Sequence, residues 1–166
     1  MMENKTIRIS NDLKLIPKVI DEIIESIKSK CRSKDVQAIS IGLYEVISNA
    51  MEHGNLGIDW ETKNRALETK RLDELIAERM NKEPFASRNV TIEYVVDYNK
   101  ATFIIGDEGD GFDRNKVPDP TKDENLSIPH GRGLFIISTC MDEVSFNEKG
   151  NKVTLTKYFT DTDAVF

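Results

Sequence analysis

Glu45-Val46-Ile47-Ser48-Asn49-Ala50-Met51-Glu52-His53-Gly54-Asn55 is the stretch from which the rest of the chain can be read. Glu45, Asn49 and His53 are successively four residues apart, so on a helix they share one face. That face is polar, while Val36, Ile39, Leu43, Val46, Ile47 and Ala50 mark the opposite, buried side. An Asn side-chain carbonyl is a hard, neutral ligand suited to Mg²⁺, an ion that keeps several waters and is shared with phosphates. A Glu one turn earlier could orient or deprotonate a nucleophile near a terminal phosphate. Taken alone, the same three residues also describe a solvated helix face.

Working outward, Ser33 is placed to cap this helix and Gly54 to end it. Upstream, residues 6–9 alternate as a short strand, and Ser10, Asn11 and Asp12 offer caps for a helix over residues 13–30. Its apolar stripe is Ile16, Val19, Ile20, Ile23, Ile24 and Ile27. Downstream, residues 59–82 are charged but periodic: Leu72, Leu75, Ile76 and Met80 form one edge of a helix, with Trp60, Ala66 and Leu67 leading into it. The period then changes. Val90, Ile92, Tyr94 and Val96 alternate, Tyr98-Asn99-Lys100 turns, and residues 102–105 run apolar into Gly106, which predicts a hairpin. Residues 131–141 predict an apolar helix, and residues 144–146 with 153–159 a closing hairpin around Glu148-Lys149-Gly150. Helices mainly first and strands mainly second predict an α+β two-layer sandwich, with helices on one face of a mixed β-sheet.

Two further motifs lie in the second half. Asp107-Glu108-Gly109-Asp110-Gly111-Phe112 follows the apolar strand directly. Its glycines allow positive φ and close approach to a ligand. A carboxylate at the end of a buried strand seeks a donor, and the exocyclic amine of adenine is one. A plain Asp-Gly turn would look the same. A calcium loop would not, because Gly109, Gly111 and Pro118 stand where an EF-hand requires oxygen ligands. His130-Gly131-Arg132-Gly133-Leu134 opens the apolar helix, where free N–H groups and the helix dipole can hold an anion and Arg132 can add a charged contact. A glycine pair before a helix is also often only a tight connection. The stretch 107–129 between these motifs reads as a long loop of the functional kind. Neither a Gly-Lys-Ser/Thr phosphate loop nor an early dinucleotide fingerprint is present.

The order of the three motifs resembles the ATPase superfamily of gyrase, histidine kinases, heat-shock chaperones and mismatch-repair proteins, the Bergerat ATP-binding fold. There the first motif is the N box and the glycine motifs flank an ATP lid. Glu45-x-x-x-Asn49-Ala50-x-x-His53-Gly54 is most similar to the bacterial anti-sigma-factor serine/threonine kinases. The resemblance covers residues 6–159. It implies ATP and Mg²⁺ as cofactors, Asn49 as metal ligand, Glu45 as general base and His53 within the nucleotide set. It also implies that Asp107 holds the adenine amine in a pocket shaped by Gly109 and Gly111. Gly131, Arg132, Gly133 and Leu134 would meet the phosphates, residues 118–129 would form the lid, and Thr154 would lie under the base. Closure of such a lid excludes water and commits the nucleotide. The implied function is phosphorylation of Ser/Thr on an antagonist domain, sequestration of a sigma factor, or both. The alternative is an ATP-responsive switch that holds a partner without transferring phosphate. A histidine-kinase catalytic part is disfavoured, since the two histidines, His53 and His130, both lie inside motifs. The implied partners are proteins: an anti-sigma antagonist domain, a sigma factor or a response regulator. A homodimer is compatible with the resemblance. Residues 60–88 depart from the pattern as an insertion that could extend the core, cover a sheet edge or dock a partner.

At 166 residues the chain predicts a single domain, with 39% hydrophobic and 31% charged residues. A net charge of −6 disfavours direct contact with nucleic acid or an anionic membrane, so any ATP site must be built locally from backbone groups and a metal ion. Cys31 and Cys140 stand in no metal or redox spacing. With no apolar leader and no stretch of spanning length, a cytoplasmic location is expected.

Overall fold

The computed structural model describes residues 3–112 and 132–159. Five strands form one sheet in the order β1-β2-β3-β5-β4, with β1 at Glu3–Ile9, β2 at Val90–Val96, β3 at Lys100–Gly106, β4 at Glu143–Phe146 and β5 at Lys152–Tyr158. Among the described residues every ladder is antiparallel, so the mixed sheet expected from sequence is corrected on this point while the α+β class holds. Antiparallel pairing tolerates one wetted face. The residues that alternate with the buried set, among them Glu93, Thr102 and Thr154, are only partly covered.

The other face is the core. Ile92, Tyr94, Phe103, Ile105 and Leu155 are essentially inaccessible there, and helices α1 (Ile16–Ile27), α2 (Ser33–Asn49) and α5 (Arg132–Cys140) cover them. The predicted stripe of α1 is real: Ile16, Ile23 and Ile27 are fully buried, and truncating one such residue to Ala costs about 2–5 kcal/mol. A short 3₁₀ turn at Leu13–Leu15 precedes α1.

Helix α2 starts one residue differently from expectation. Arg32 holds the cap position, and the Asp35 carboxylate accepts its backbone N–H at 3.3 Å and its Nε–H at 3.1 Å. Ser33 is already helical. The helix expected along the Leu72, Leu75, Ile76 and Met80 edge is α4 at Leu72–Met80, and the residues leading into it form a helix of their own, α3 at Trp60–Glu68. Lys70 breaks them by adopting φ 56°, with its N–H on Leu67 O and that of Arg71 on Ala66 O, which is a Schellman ending. Residues 60–88 help to build a second, smaller core of Leu56, Ile58 and Ile76, joined by Leu72, Met80 and Phe85.

Candidate functional site

Helix α2 does not stop at Gly54. From Ala50 to Asn55 it widens into a π-turn, and Leu56 N–H reaches back to Met51 O at 2.8 Å. Such turns re-aim side chains and cluster at functional sites. Here the turn carries Gly54 against Asp107. A Cβ at Gly54 would lie 2.3 Å from Asp107 Cγ, and one at Gly109 would lie 2.2 Å from the Gly54 carbonyl oxygen. Gly54 is therefore required for close approach, and ending the helix is not its role. The first and second motifs are in direct contact.

Asp107 is held from several sides. Its N–H donates to Asn151 O at 2.9 Å, Asn151 Nδ2 donates to its carbonyl at 3.2 Å, and Gly109 N–H donates to its Oδ1 at 2.8 Å. Burial pushes its carboxyl up to about 6, against the lowering effects of the Gly109 N–H, Arg88 and Lys149. Beside it, Gly111 and Gly150, at φ 79° and 80°, let two chain segments cross: a Cβ on either would strike the backbone of Lys149 or Phe112 respectively.

The third motif meets the first at the other end. A Cβ on Gly133 would sit 3.2 Å from both Asn49 Nδ2 and Glu45 Oε2, so the start of α5 lies directly over the Glu/Asn pair. Arg132 is exposed at the first turn of α5, and Leu134 is half-buried. Between the two ends lies a solvent-open cleft of about 100 Å³, walled by α2, the ends of β3 and β5, and α5. Asn49, His53, Asp107, Gly111 and Leu134 line it; Glu45, Gly109 and Gly133 stand beside it through the contacts just described. Gly131, His130 and the expected lid at 118–129 lie outside the described residues.

Thr154 does not join the cleft. It pairs with Ile104 and Ser145, and strand alternation turns it to the face opposite Val153, which does line the cleft. The expectation that Thr154 lies under the base is corrected accordingly. Sequence reasoning missed Trp60, Phe112, Phe146, Asn151 and Lys152, all of which line the cleft. Phe112 and Phe146 meet edge to face at 5.4 Å. Asn151, one residue past a turn glycine and at the start of a strand, was the one missed residue with a local signal.

His53 is packed against Trp60 with ring centroids 3.9 Å apart. Its Nδ1 hydrogen bonds to the Ile58 carbonyl, which fixes the tautomer as Nδ1–H. Burial pushes the imidazole below its ordinary range, so it is neutral, and Nε2 is buried without a hydrogen-bond partner among the described residues. The adjacent Glu52 is buried and meets Lys63 Nζ of α3 at 2.5 Å. A buried amide, Asn55, ties the site together. Its Oδ1 accepts Glu108 N–H at 2.7 Å and its Nδ2 donates to Asn11 Oδ1 at 2.7 Å, while Arg88 donates to its carbonyl at 2.9 Å.

Among the described residues no group of three or more His, Cys, Asp or Glu could hold a metal ion by itself. Asn49, which lines the cleft, carries a neutral side-chain oxygen of the kind Mg²⁺ accepts beside phosphates and water. No helix among the described residues is long and apolar enough to cross a membrane.

A cleft on the helical face of an antiparallel sheet, with a half-buried carboxyl at one end and a Glu/Asn pair under a helix start at the other, has the build of an ATP-binding α+β domain. The family model of the histidine kinase-like ATPase domain matches residues 9–157, most of the chain, and the chain belongs to that family. No individual curated protein matches it.

Proposed function

We propose that the chain is an ATP-binding regulatory protein of the anti-sigma-factor kinase type, which transfers the terminal phosphate of ATP to Ser or Thr of an antagonist domain. The observation that carries this reading is the contact of Gly133 with both Glu45 and Asn49, because it puts a candidate base, a candidate Mg²⁺ ligand and a helix N-terminus at one place. In this reading Asp107 accepts the adenine amine and Gly109 and Gly111 shape the base pocket. Asn49 holds Mg²⁺, which neutralises phosphate charge when bound. Gly131, Arg132, Gly133 and Leu134 face the phosphates. Glu45 takes the proton of the attacking hydroxyl, and that side chain must sit within hydrogen-bond reach of it. An antagonist domain, a sigma factor or a response regulator is the partner class, in the cytoplasm.

Incubation with radiolabelled ATP, Mg²⁺ and an antagonist domain encoded beside the gene should label a serine or threonine on the antagonist. Glu45→Ala should abolish labelling and leave nucleotide affinity nearly intact, whereas Asn49→Ala should weaken Mg-ATP binding itself. Labelling that survives Glu45→Ala removes the proposed base. ATP-dependent capture of the antagonist without label supports the non-catalytic switch instead.

A further inference from the structure

The insertion reaches the cleft through one side chain. Trp60 is the first residue of α3, lines the cleft together with Asp107 and Asn49, and is the chain's single tryptophan. Its place is built. Asp59 caps α3 by accepting Thr62 N–H at 2.7 Å, and Lys63, one turn along, meets the buried Glu52 of the π-turn. Arg79 of α4 donates to Leu56 O at 3.0 Å, which holds the segment leading into α3. The indole then stacks on His53, whose ring is itself fixed by the Ile58 carbonyl. Trp60 and His53 line the same cleft as Asp107, and Gly54, next to His53 in the chain, packs against the Asp107 carboxylate.

We propose that Trp60 is a specificity-determining residue of the nucleotide site: its indole, backed by His53, forms an aromatic wall for the base and favours the larger ring system of a purine over a pyrimidine. The proposal rests on the nucleotide reading of the cleft. A flat aromatic surface gains with the stacked area of the base and is indifferent to its edge, so the wall supplies ring-size preference while Asp107 reads the amine. The insertion is then part of the ligand site in addition to a second core.

Calorimetry and fluorescence on the full chain separate the two levels of the argument. Saturating Mg-ATP should change Trp60 emission with a midpoint equal to the calorimetric Kd. Trp60→Ala should weaken ATP binding about tenfold, the scale of one lost base–aromatic stack, and CTP binding much less, while Trp60→Phe retains most of the ATP affinity. Calorimetric saturation with unaltered emission, or an ATP/CTP ratio unchanged in Trp60→Ala, overturns the proposal and leaves the nucleotide reading standing. No heat from wild type with any nucleotide removes that reading and the proposal with it. Should Trp60→Ala not fold, the emission titration of wild type and the ATP/CTP ratio of Trp60→Phe decide the question.

Discussion

Replacing Gly54 with Ala tests the contact that joins the first two motifs, and the sign of its effect should depend on residue 107. At a π-turn position without positive φ, Gly→Ala by itself stabilises by about 0.4–1 kcal/mol through the unfolded chain. Here the new Cβ would stand 2.3 Å from Asp107 Cγ and 2.5 and 2.6 Å from its two carboxylate oxygens. Overpacking of that kind costs about 1–3 kcal/mol. Swinging the carboxyl aside would release the Gly109 N–H, a bond to a charged group worth about 1.5–3 kcal/mol. Part of that loss returns as the carboxylate regains water, so the net expectation is about 1–2 kcal/mol of destabilisation, or roughly 2–8 °C in Tm for a chain of this size. All three nearest atoms belong to the Asp107 carboxyl group. In an Asp107→Ala background they are gone, and Gly54→Ala should become neutral or slightly stabilising. Denaturant unfolding of the four proteins in this cycle measures the coupling. Equal losses in both backgrounds, or no loss in either, would show that the Gly54–Asp107 contact does not govern this part of the fold.

Lys63→Met leaves Glu52 buried and uncompensated and should cost about 3–5 kcal/mol, most of it recovered when Glu52→Gln is added; denaturant melts of both variants check this, and a single variant as stable as wild type refutes the pairing. Asp107 predicts a pH dependence of unusual sign. Because its folded value, about 6, lies above its ordinary 3.8, the folded state holds a proton that the unfolded chain releases, and stability contributed by this group falls as pH rises from about 4 through 6. Asp107→Asn should therefore be the more stable protein at about pH 7.5, with the gap closing towards about pH 4.5; a gap independent of pH, followed by thermal melts, counts against the buried carboxylate.

The helices and hairpins were legible because each carries one clean period. The stripe of α1 and the alternation of β2 bury the residues that the pattern names. The break between α3 and α4 was not legible, since the residue in the left-handed conformation is Lys70, where sequence reasoning looks for Gly or Asn. The cleft was legible where it is made of motifs and opaque where it is made of topology. Nothing local says that the turn at residues 149–151 crosses residues 109–112; that follows from β5 lying beside β3 in the sheet. The error at Thr154 is one of parity. A single-residue slip along a strand exchanges its faces, and the cleft side of β5 is Val153. Trp60 and Lys63 were read as part of a charged insertion because their partners, His53 and Glu52, lie across a backbone turn that periodicity does not describe.

Several departures from ordinary folding chemistry gather around the cleft. A π-turn interrupts α2, a half-buried carboxyl at Asp107 is pushed up to about 6, an imidazole nitrogen at His53 is buried without a partner among the described residues, and Gly54, Gly109, Gly111 and Gly150 each stand where a Cβ would collide. Each has a local cost, and natural sequences concentrate such costs where function requires them. Asn55 shows what offsets them. Fully buried, it joins the π-turn to the Asp107 loop and to Asn11, 53 and 44 residues away in sequence, while Arg88, 33 residues away, donates to its carbonyl. Residues 60–88 are therefore tied to the π-turn at both of their ends, by Trp60 on His53 and Lys63 on Glu52 at the start and by Arg88 on Asn55 at the finish.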